Sequence, residues 1–345
     1  MPQFFLPPEW SPQSGLMITW PHPHSDWRDL LPEVEPVYAL IARQVTRREG
    51  LLVNCWDQAH IAQVKSRLQD TGADPRNVIY SAVRSNDTWT RDYGPITVLE
   101  DGRPRLLDFI FNGWGGKFDA ALDNQVTRNL HRDGVFGPAA LDSIDMVLEG
   151  GSIEVDGRGT LLTTEHCLLA PTRNPGLDRV QIEERLRGWF GVTNVLWLRH
   201  GHLAGDDTDS HIDTLARFCD SHTIAYVACD DPHDEHYAEL RSMEAELRAC
   251  RDLDGRPYRL VPLPWPAAKH DAADGRRLAA SYANFLIING AVLMPLYDDP
   301  ADDEALRRLQ SCFADREVVG VPCLPLIRQN GSLHCITMQL PAGVL

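Results

Sequence analysis

The segment ITVLEDGRPRLLDFIFN, residues 96–112, contains two runs typical of β-strands, separated by the turn sequence DGRP. Two further pairs of runs are joined in the same way, SIEVDG with TLLTT through DGRG and FLII with VLMPLY through NGA. Such short turns connect antiparallel neighbours, whereas parallel strands need long crossover connections. The sheets are therefore mixed, which excludes a doubly wound fold with a purely parallel sheet.

Helical segments separate these strand pairs. Amphipathic periodicity predicts helices at 33–49, 57–70, 120–133, 178–190, 233–250 and 301–313. A strand pair, a helix and a further strand recur in that order, without a literal sequence repeat. Since no linker or low-complexity tract divides the chain, we expect one α/β domain over residues 1–345, with PLPWPAAKHDAADGRR as a long surface loop.

The composition limits the partners. The chain has 33 Lys and Arg against 49 Asp and Glu, a net charge of −16, which repels phosphate backbones and disfavours nucleic acid. The same charge suits a small basic ligand, although solubility alone would also explain it. The start of the chain lacks a signal peptide, and nothing approaches the run of about 18 apolar residues that a membrane span needs. We expect a cytoplasmic protein without membrane contact.

The eight cysteines are scattered, with no Cys-x-x-Cys pair. Neither a zinc knuckle nor a redox dithiol is therefore indicated, and most of these cysteines are expected to be buried.

Two clusters of reactive side chains lie in the first half of the chain. NDTWTRDYGP, residues 86–95, places Arg91 and Asp92 before a Gly-Pro turn. A neighbouring Arg and Asp alone are more typical of a surface ion pair than of a site. In LEGGSIEVDGRGT, residues 148–160, Glu149 precedes two glycines, which allow close approach of a ligand but are also common in a bulged turn.

A third cluster, GDDTDSHIDTLARF, spans residues 205–218. Its alternation predicts a strand with His211 and Asp213 on one face, where the carboxylate would raise the pKa of the histidine and suit it to proton transfer. The acids upstream make a divalent-metal site the alternative. We disfavour it because His211 has only the distant His200 and His202 as partners and no His-Glu-x-x-His is present.

The last cluster, NGSLHCITMQLP, residues 330–341, reads as a strand with Cys335 on its more polar face and His334 on the apolar face. A nucleophilic Cys335 would then need a base from elsewhere in the chain. One thiol, one histidine and several carboxylates suit attack on a guanidinium carbon, because carboxylates pair with guanidinium through parallel hydrogen bonds. A metal-dependent hydrolase and a non-catalytic polyamine-binding protein remain alternatives.

The motifs WTRDYGP, EGGSIEVDG, GDDTDSHID and LHCITMQLP, in this order, resemble those of the agmatine deiminase and bacterial-type peptidyl-arginine deiminase family. The resemblance implies a five-bladed α/β propeller of ββαβ units, the pentein fold, with pseudo-fivefold symmetry. It also implies hydrolysis of agmatine to N-carbamoylputrescine and ammonia through a covalent cysteine intermediate. Peptidyl-arginine or another small guanidine is the alternative substrate. The chain departs from the family in carrying a single glycine, Gly331, shortly before Cys335.

By this resemblance Cys335 is the nucleophile, His211 the general acid and base, Asp92 and Asp213 the carboxylates that bind the guanidinium, and Glu149 a further acid. The substrate-binding candidates are Trp89, Trp114, Asp207, which would face the far amine of agmatine, and Arg91. The implied chemistry needs no metal, nucleotide or organic cofactor. The sequence leaves the oligomeric state open, and a homo-oligomer is compatible with it.

Overall fold

The computed structural model describes residues 4–345, which form a mixed α/β structure. Its strands are β1 (Phe4–Phe5), β2 (Gln13–Thr19), β3 (Gly50–Cys55), β4 (Val78–Ala82), β5 (Ile96–Glu100), β6 (Arg103–Ile110), β7 (Ala140–Val147), β8 (Ile153–Val155), β9 (Thr160–Thr164), β10 (Asn194–Leu198), β11 (Ala216–Asp220), β12 (Thr223–Val227), β13 (Arg259–Leu263), β14 (Lys269–His270), β15 (Arg277–Leu278), β16 (Leu286–Ile288), β17 (Ala291–Leu296), β18 (Glu317–Pro322) and β19 (Thr337–Pro341).

The helices of the same residues are α1 (Leu31–Thr46), α2 (Gln58–Leu68), α3 (Thr90–Tyr93), α4 (Gly113–Gly116), α5 (Val126–Arg132), α6 (Glu165–Leu168), α7 (Arg179–Phe190), α8 (Tyr237–Ala249), α9 (Asp302–Gln310) and α10 (Leu324–Ile327). Each of the six predicted helical segments coincides with one of the longer helices, and five of them contain it, usually with a few residues fewer than predicted, whereas α1 begins two residues before its predicted segment 33–49. None of the helices described here combines the length and apolarity that crossing a membrane requires.

One arrangement of three strands and a helix occurs five times within residues 4–345. The first two strands are antiparallel, the helix follows, and the third strand lies parallel to the second. These units are β19-β2-α1-β3, β5-β6-α5-β7, β8-β9-α7-β10, β11-β12-α8-β13 and β16-β17-α9-β18. The expected ββαβ units are thus confirmed. The five-bladed propeller with pseudo-fivefold symmetry stays a prediction.

Helix α7 shows how the local sequence sets one of these elements. Asp178 and Gln181 form a capping box at its start, which satisfies backbone N–H groups that have no partner inside the helix. Gly191 ends the helix in the left-handed conformation, with φ 68°. A side chain there would collide with the backbone of Phe4, so glycine is required on both conformational and packing grounds.

Strand β19 joins the last described residues to the first unit. It pairs antiparallel with β2, placing Thr337 opposite Ile18 and Met338 opposite Met17. The predicted strand over 330–341 is therefore correct only from residue 337. Residues 333–336 form a turn, in which the backbone N–H and the hydroxyl of Thr337 both donate to the His334 carbonyl, at 3.1 and 2.9 Å. The strand predicted to carry His334 and Cys335 is consequently wrong, although the two side chains do line different voids.

Three other segments differ from the predicted strands. Residues 205–215 form a loop with a 3₁₀ turn at Ile212–Thr214, because Asp209 and Ser210 have φ values of 66° and 67° that no strand accommodates. The strand predicted over TLLTTEHCLLA stops at Thr164, whose hydroxyl caps α6. The predicted long loop contains the short hairpin β14–β15.

Candidate active site

Each of the five connections between successive units brings a polar side chain to one site. Asp92 lies between β4 and β5, Glu149 between β7 and β8, His211 and Asp213 between β10 and β11, and Cys335 between β18 and β19. The remaining connection, between β13 and β16, contributes a residue that the sequence did not indicate, Asn284. Loops that follow strand ends can vary without disturbing the sheets, which suits them to hold reactive groups.

Cys335 is buried, with 7% of its surface exposed. Its Sγ lies 3.4 Å from Asn284 Oδ1 and 4.0 Å from Asp213 Oδ2. Burial raises the pKa of the thiol well above its usual value, and the negative charges of Asp213 and Asp92 add to this effect. The free site therefore favours the protonated thiol over the thiolate.

Asp92 is held by two donors. Its Oδ2 accepts from Trp114 Nε1 at 2.9 Å, and its Oδ1 accepts from the backbone N–H of Gly151 at 3.0 Å. Burial, followed by the charge of Glu149, raises the pKa of Asp92 to about 7. Both oxygens are thus fixed in place, while the charge of the group depends on its surroundings.

Asp213 is fully buried beside the thiol. Its Oδ2 lies 2.7 Å from Nδ1 of His334, and its Oδ1 has no hydrogen-bond partner among the described residues. Burial and the neighbouring Asp92 raise the pKa of Asp213 well above its usual value. An unpartnered buried oxygen is costly unless a donor arrives with a ligand.

His211 lies with Nδ1 3.6 Å from Asp92 Oδ1. Its other ring nitrogen, Nε2, is buried without a hydrogen-bond partner in the part of the chain described. Burial lowers the pKa of His211 well below its usual value, and the charges of Arg173 and Lys117 lower it further. The prediction that a neighbouring carboxylate raises this pKa is wrong, because desolvation dominates. The imidazole is neutral and free to accept a proton.

Glu149 does not line the pocket but lies behind His211, fully buried. Both of its oxygens accept from Nε of Arg173, at 2.8 and 3.1 Å, and Arg173 also binds Asp209. Burial raises the pKa of Glu149, although Arg173 opposes that shift. Arg173 was not identified from the sequence, where nothing links it to the other motifs.

Glu149, Cys167 and His211 each offer a ligand atom within 4.8 Å of the other two. Among the described residues this is the one group that could hold a metal ion. Since Arg173 already binds both oxygens of Glu149, a metal would have to displace an internal ion pair. The carboxylate is thus better suited to its guanidinium partner than to a metal.

Gly151 explains the double glycine of EGGSIEVDG. A Cβ at this position would lie 2.7 Å from Nδ1 of His211, 2.9 Å from Oδ1 of Asp92 and 3.1 Å from Oδ2 of Asp213. Any side chain would therefore push these three groups apart. The glycine lets them converge around one point.

A pocket leads to this point, and we call it the acidic pocket. Its void volume is about 490 Å³, with Cys335 in its lining and Trp89, Trp114 and Phe118 among its walls. The described lining residues include no Lys or Arg but five aspartates, which are Asp26, Asp87, Asp92, Asp206 and Asp207. Aromatic walls suit a small organic ligand, and the excess of acids over bases in the lining favours a cation.

Asp207 belongs to this lining and accepts from Asn330 Nδ2 at 2.8 Å. Burial and the adjacent Asp206 raise its pKa to about 6. Gly331, the single glycine before the nucleophile, packs so closely on the Trp89 ring that a side chain would collide with the indole. This loop therefore holds one aromatic wall and one acid of the pocket.

Arg91 is not brought into the acidic pocket. Its backbone N–H donates to the Cys335 carbonyl at 3.1 Å, and its side chain points to Glu9, with Nη2 3.6 Å from Oε2. Arg91 lines a different void of about 520 Å³, which we call the rear cavity, together with Glu9, Glu154 and His334. A direct contact between Arg91 and a ligand in the acidic pocket is therefore not supported.

The chain matches known proteins over almost its whole length. The model of the Porphyromonas-type peptidyl-arginine deiminase family covers residues 5–341. The agmatine deiminase of Stutzerimonas stutzeri is 37% identical, over 98% of this chain and 96% of that relative.

Two solved structures are similar throughout. The agmatine deiminase of C. jejuni, with a cysteine replaced by serine and substrate bound, has a TM-score of 0.92 and 38% identity, covering 100% of this chain and 98% of that one. A Porphyromonas gingivalis protein, provisionally assigned as an arginine deiminase, has a TM-score of 0.92 and 51% identity, covering 99% and 100%. The chain described here belongs to the Porphyromonas-type peptidyl-arginine deiminase family.

Proposed function

We propose that the protein is an agmatine deiminase, which hydrolyses agmatine to N-carbamoylputrescine and ammonia. The observation that carries this proposal is the position of Cys335, which lines a pocket with five aspartates and no basic lining residue among those described. Agmatine is a small dication with a guanidinium at one end and an amine at the other. The names of the agmatine deiminases to which the chain is similar add support.

Substrate binding supplies the charge that the site lacks. The guanidinium pairs with Asp92 and Asp213, whose raised pKa values fall when a cation lies beside them. The same cation lowers the pKa of the Cys335 thiol, because it offsets the two carboxylates that raise it. Binding and activation of the nucleophile are thus one electrostatic event.

The reaction then proceeds in two halves. His211 takes the proton of the Cys335 thiol, the thiolate attacks the central guanidinium carbon, and His211 returns that proton to the nitrogen that leaves as ammonia. A covalent amidino-thioether remains. His211 takes a proton from water, which attacks the same carbon, and cleavage of the C–S bond releases the ureido product and restores the thiol. One water is consumed and one ammonia is produced.

Asp207 is the residue we assign to the far amine of agmatine. An acid at this end of the pocket would repel the carboxylate of free arginine. A peptidyl-arginine carries no such carboxylate but is far bulkier. The family name and the P. gingivalis structure make both compounds necessary comparisons.

Ammonia release from agmatine, free arginine and a blocked arginine peptide tests the proposal. We expect turnover with agmatine and at least tenfold lower kcat/KM with the other two. Preference for either arginine compound would reassign the substrate. Loss of turnover on adding a chelator would instead indicate a metal-dependent hydrolase, and agmatine binding without turnover would indicate a binding protein.

We also infer that residues 1–345 work as a single catalytic domain in the cytoplasm. All five connections between units contribute to one site, which supports a single functional unit. The eight cysteines are free thiols, as is usual in a reducing compartment. The partner we assign is the small cationic substrate.

A further inference from the structure

The histidine next to the nucleophile lies between two carboxylates. His334 is buried, with Nε2 2.7 Å from Glu9 Oε2 and Nδ1 2.7 Å from Asp213 Oδ2. A neutral imidazole carries one N–H and one lone pair, so it can donate to only one of these oxygens. The two contacts together therefore need a second proton, either on a carboxyl group or on the other ring nitrogen.

Of the two acids that contact His334, Glu9 is the one that is ionised. Its Oε2 accepts from Arg217 Nη2 at 2.9 Å, and its Oε1 accepts from the backbone N–H of Ile287 at 2.6 Å. Although burial opposes it, Arg217 and His334 hold the pKa of Glu9 well below its usual value. The Nε2–H of His334 thus donates to Glu9.

Asp213 is consequently the carboxylic acid. It has no arginine within ion-pair distance among the described residues, and, after burial, the charge of Asp92 raises its pKa more than that of Arg91 lowers it. Its O–H donates to the lone pair on Nδ1 of His334. The free site therefore stores one proton between Asp213 and His334.

The charged groups that face His334 are Glu9, Asp213, Arg91 and Arg217. Burial, followed by the charges of Arg217 and Arg91, disfavours the imidazolium in the free protein and lowers the pKa of His334. A guanidinium in the acidic pocket changes this balance, because it requires Asp213 as a carboxylate. An imidazolium on His334 would then lie between two carboxylates, each 2.7 Å away.

We propose that Glu9 and His334 form a proton relay for Asp213. When the guanidinium binds, the O–H bond of Asp213 breaks and an N–H bond forms on Nδ1 of His334, while the Nε2–H remains hydrogen-bonded to Glu9. No proton leaves the protein in this step. Both are positioning residues, because they act through Asp213 without touching the substrate. The inference rests on the proposed function of the acidic pocket.

The relay residues lie in a region separate from the acidic pocket. His334 and Glu9 line the rear cavity, which shares no described lining residue with the acidic pocket. The proton is thus moved to the side of Asp213 away from the substrate. When a cation occupies the acidic pocket, the proton of Asp213 therefore does not have to leave through that pocket.

Nitrogen-15 NMR of histidine-labelled protein tests the relay directly. We expect the Cys335→Ala chain to bind agmatine without reacting, so that the substrate itself can serve as the ligand. We expect Nδ1 of His334 to change from the unprotonated to the protonated signature when agmatine binds. The His334→Gln variant, which lacks this signal, assigns it. An Nδ1 that keeps its unprotonated signature in the complex would overturn the relay.

Proton release gives an independent measurement. Calorimetry in buffers of different ionisation enthalpy counts the protons that leave when agmatine binds the Cys335→Ala chain. With His334→Gln added, the Asp213 proton must go to solvent, and we expect about one further proton per bound agmatine. An unchanged count would overturn the relay. Glu9→Gln, a smaller change, should prevent protonation of Nδ1 and serves if the histidine variant does not fold.

Thr97→Val is the matched control. Thr97 lines the rear cavity, and its hydroxyl has no partner among the described residues, but it lies outside the relay. We expect the proton count to stay at the parental value. Agmatine turnover by the unmodified protein with no change at His334 would refute the relay alone, whereas absence of turnover would refute the proposed function.

Discussion

The acidic pocket and the rear cavity are two voids of similar size, about 490 and 520 Å³, which meet at neighbouring residues. Cys335 lines the first and His334 the second. The rear cavity has a basic residue in its own lining, Arg91, beside Glu9, and Arg217 outside that lining binds both Glu9 and Glu154. The acidic pocket has no such partner in its described lining. Its missing positive charge is the one that the ligand brings.

The pKa values of the two regions differ accordingly. Asp87 and Asp207 in the acidic pocket have pKa values raised to about 6, and that of Asp92 is raised to about 7, in each case chiefly by burial. Glu9 beside the rear cavity has a lowered pKa despite its burial, because of Arg217. Burial alone therefore does not fix the ionisation of a carboxyl. A neighbouring positive charge also matters. Glu9 has Arg217 beside it, whereas the described lining of the acidic pocket contains no Lys or Arg.

The largest expected effect comes from removing the thiol at the boundary. Cys335→Ala should lower ammonia release from agmatine by about 10⁴-fold or more, the scale found when a catalytic nucleophile is removed. The variant should still bind agmatine, as measured by calorimetry, because the aspartates remain. The half-buried Cys250, whose replacement by serine should leave turnover unchanged, provides the control. Normal turnover by Cys335→Ala would contradict the mechanism.

The second effect is a loss of stability when the ion pairs beside the rear cavity are broken. Arg217→Met leaves Glu9 and Glu154 buried without their partner and should cost about 3–5 kcal/mol of unfolding free energy, as breaking a buried ion pair usually does. Urea unfolding measures this cost. Arg199, an exposed arginine paired with Glu165, should show a far smaller loss when changed to Met. Equal losses would contradict the contrast between the regions.

The third effect tests the uncompensated charge of the acidic pocket. Asp207→Asn should raise the KM for agmatine by about 10- to 100-fold, because a hydrogen bond between charged groups contributes about 1.5–3 kcal/mol. The kcat should change less, since Asp207 is not placed beside the thiol. Butylguanidine, which lacks the far amine, is the matched substrate and should be affected little. A similar loss with both substrates would reassign Asp207 to a structural role.

The smallest effect is a pH dependence with opposite signs for activity and stability. Since the pKa of Asp92 is about 7, kcat/KM for agmatine should fall about tenfold per pH unit below that value. A raised pKa stabilises the folded protein at low pH, and this contribution is lost as pH rises through about 7. The unfolding free energy should thus decrease where activity increases.

Asp92→Asn provides the control for that measurement, because an amide does not titrate. Urea unfolding of this variant should vary less between pH 4 and 7 than that of the unmodified protein. Equal variation would show that other groups cause the dependence.

The sequence predicted the repeating part of the structure well. Periodicity located the six longer helices, and Asp-Gly and Asn-Gly turns located hairpins, because both signals are local. The residues that were missed depend on contacts between distant segments. Asn284 is recognisable only as the contribution of the fifth connection, and Arg173 only through its contact with Glu149.

The errors have a common physical cause. Alternation predicted strands at 205–218 and 330–341, but positive φ values at Asp209 and Ser210 and a turn at His334 interrupt them. Arg91 follows the same rule, since its neighbour Asp92 enters the acidic pocket while Arg91 turns to Glu9. The direction of a side chain in these loops depends on how the neighbouring units pack against the loop, which local sequence patterns do not reveal.

The pairing of β19 with β2 has a consequence for biosynthesis. A ribosome must translate through residue 341 before the edge of β2 is covered, and Cys335 is added only six residues earlier. A nascent chain therefore carries the five aspartates of the acidic pocket long before it has the thiol of Cys335. A chain that ends before residue 335 therefore lacks the thiol and leaves one edge of β2 unpaired, and an exposed strand edge favours aggregation.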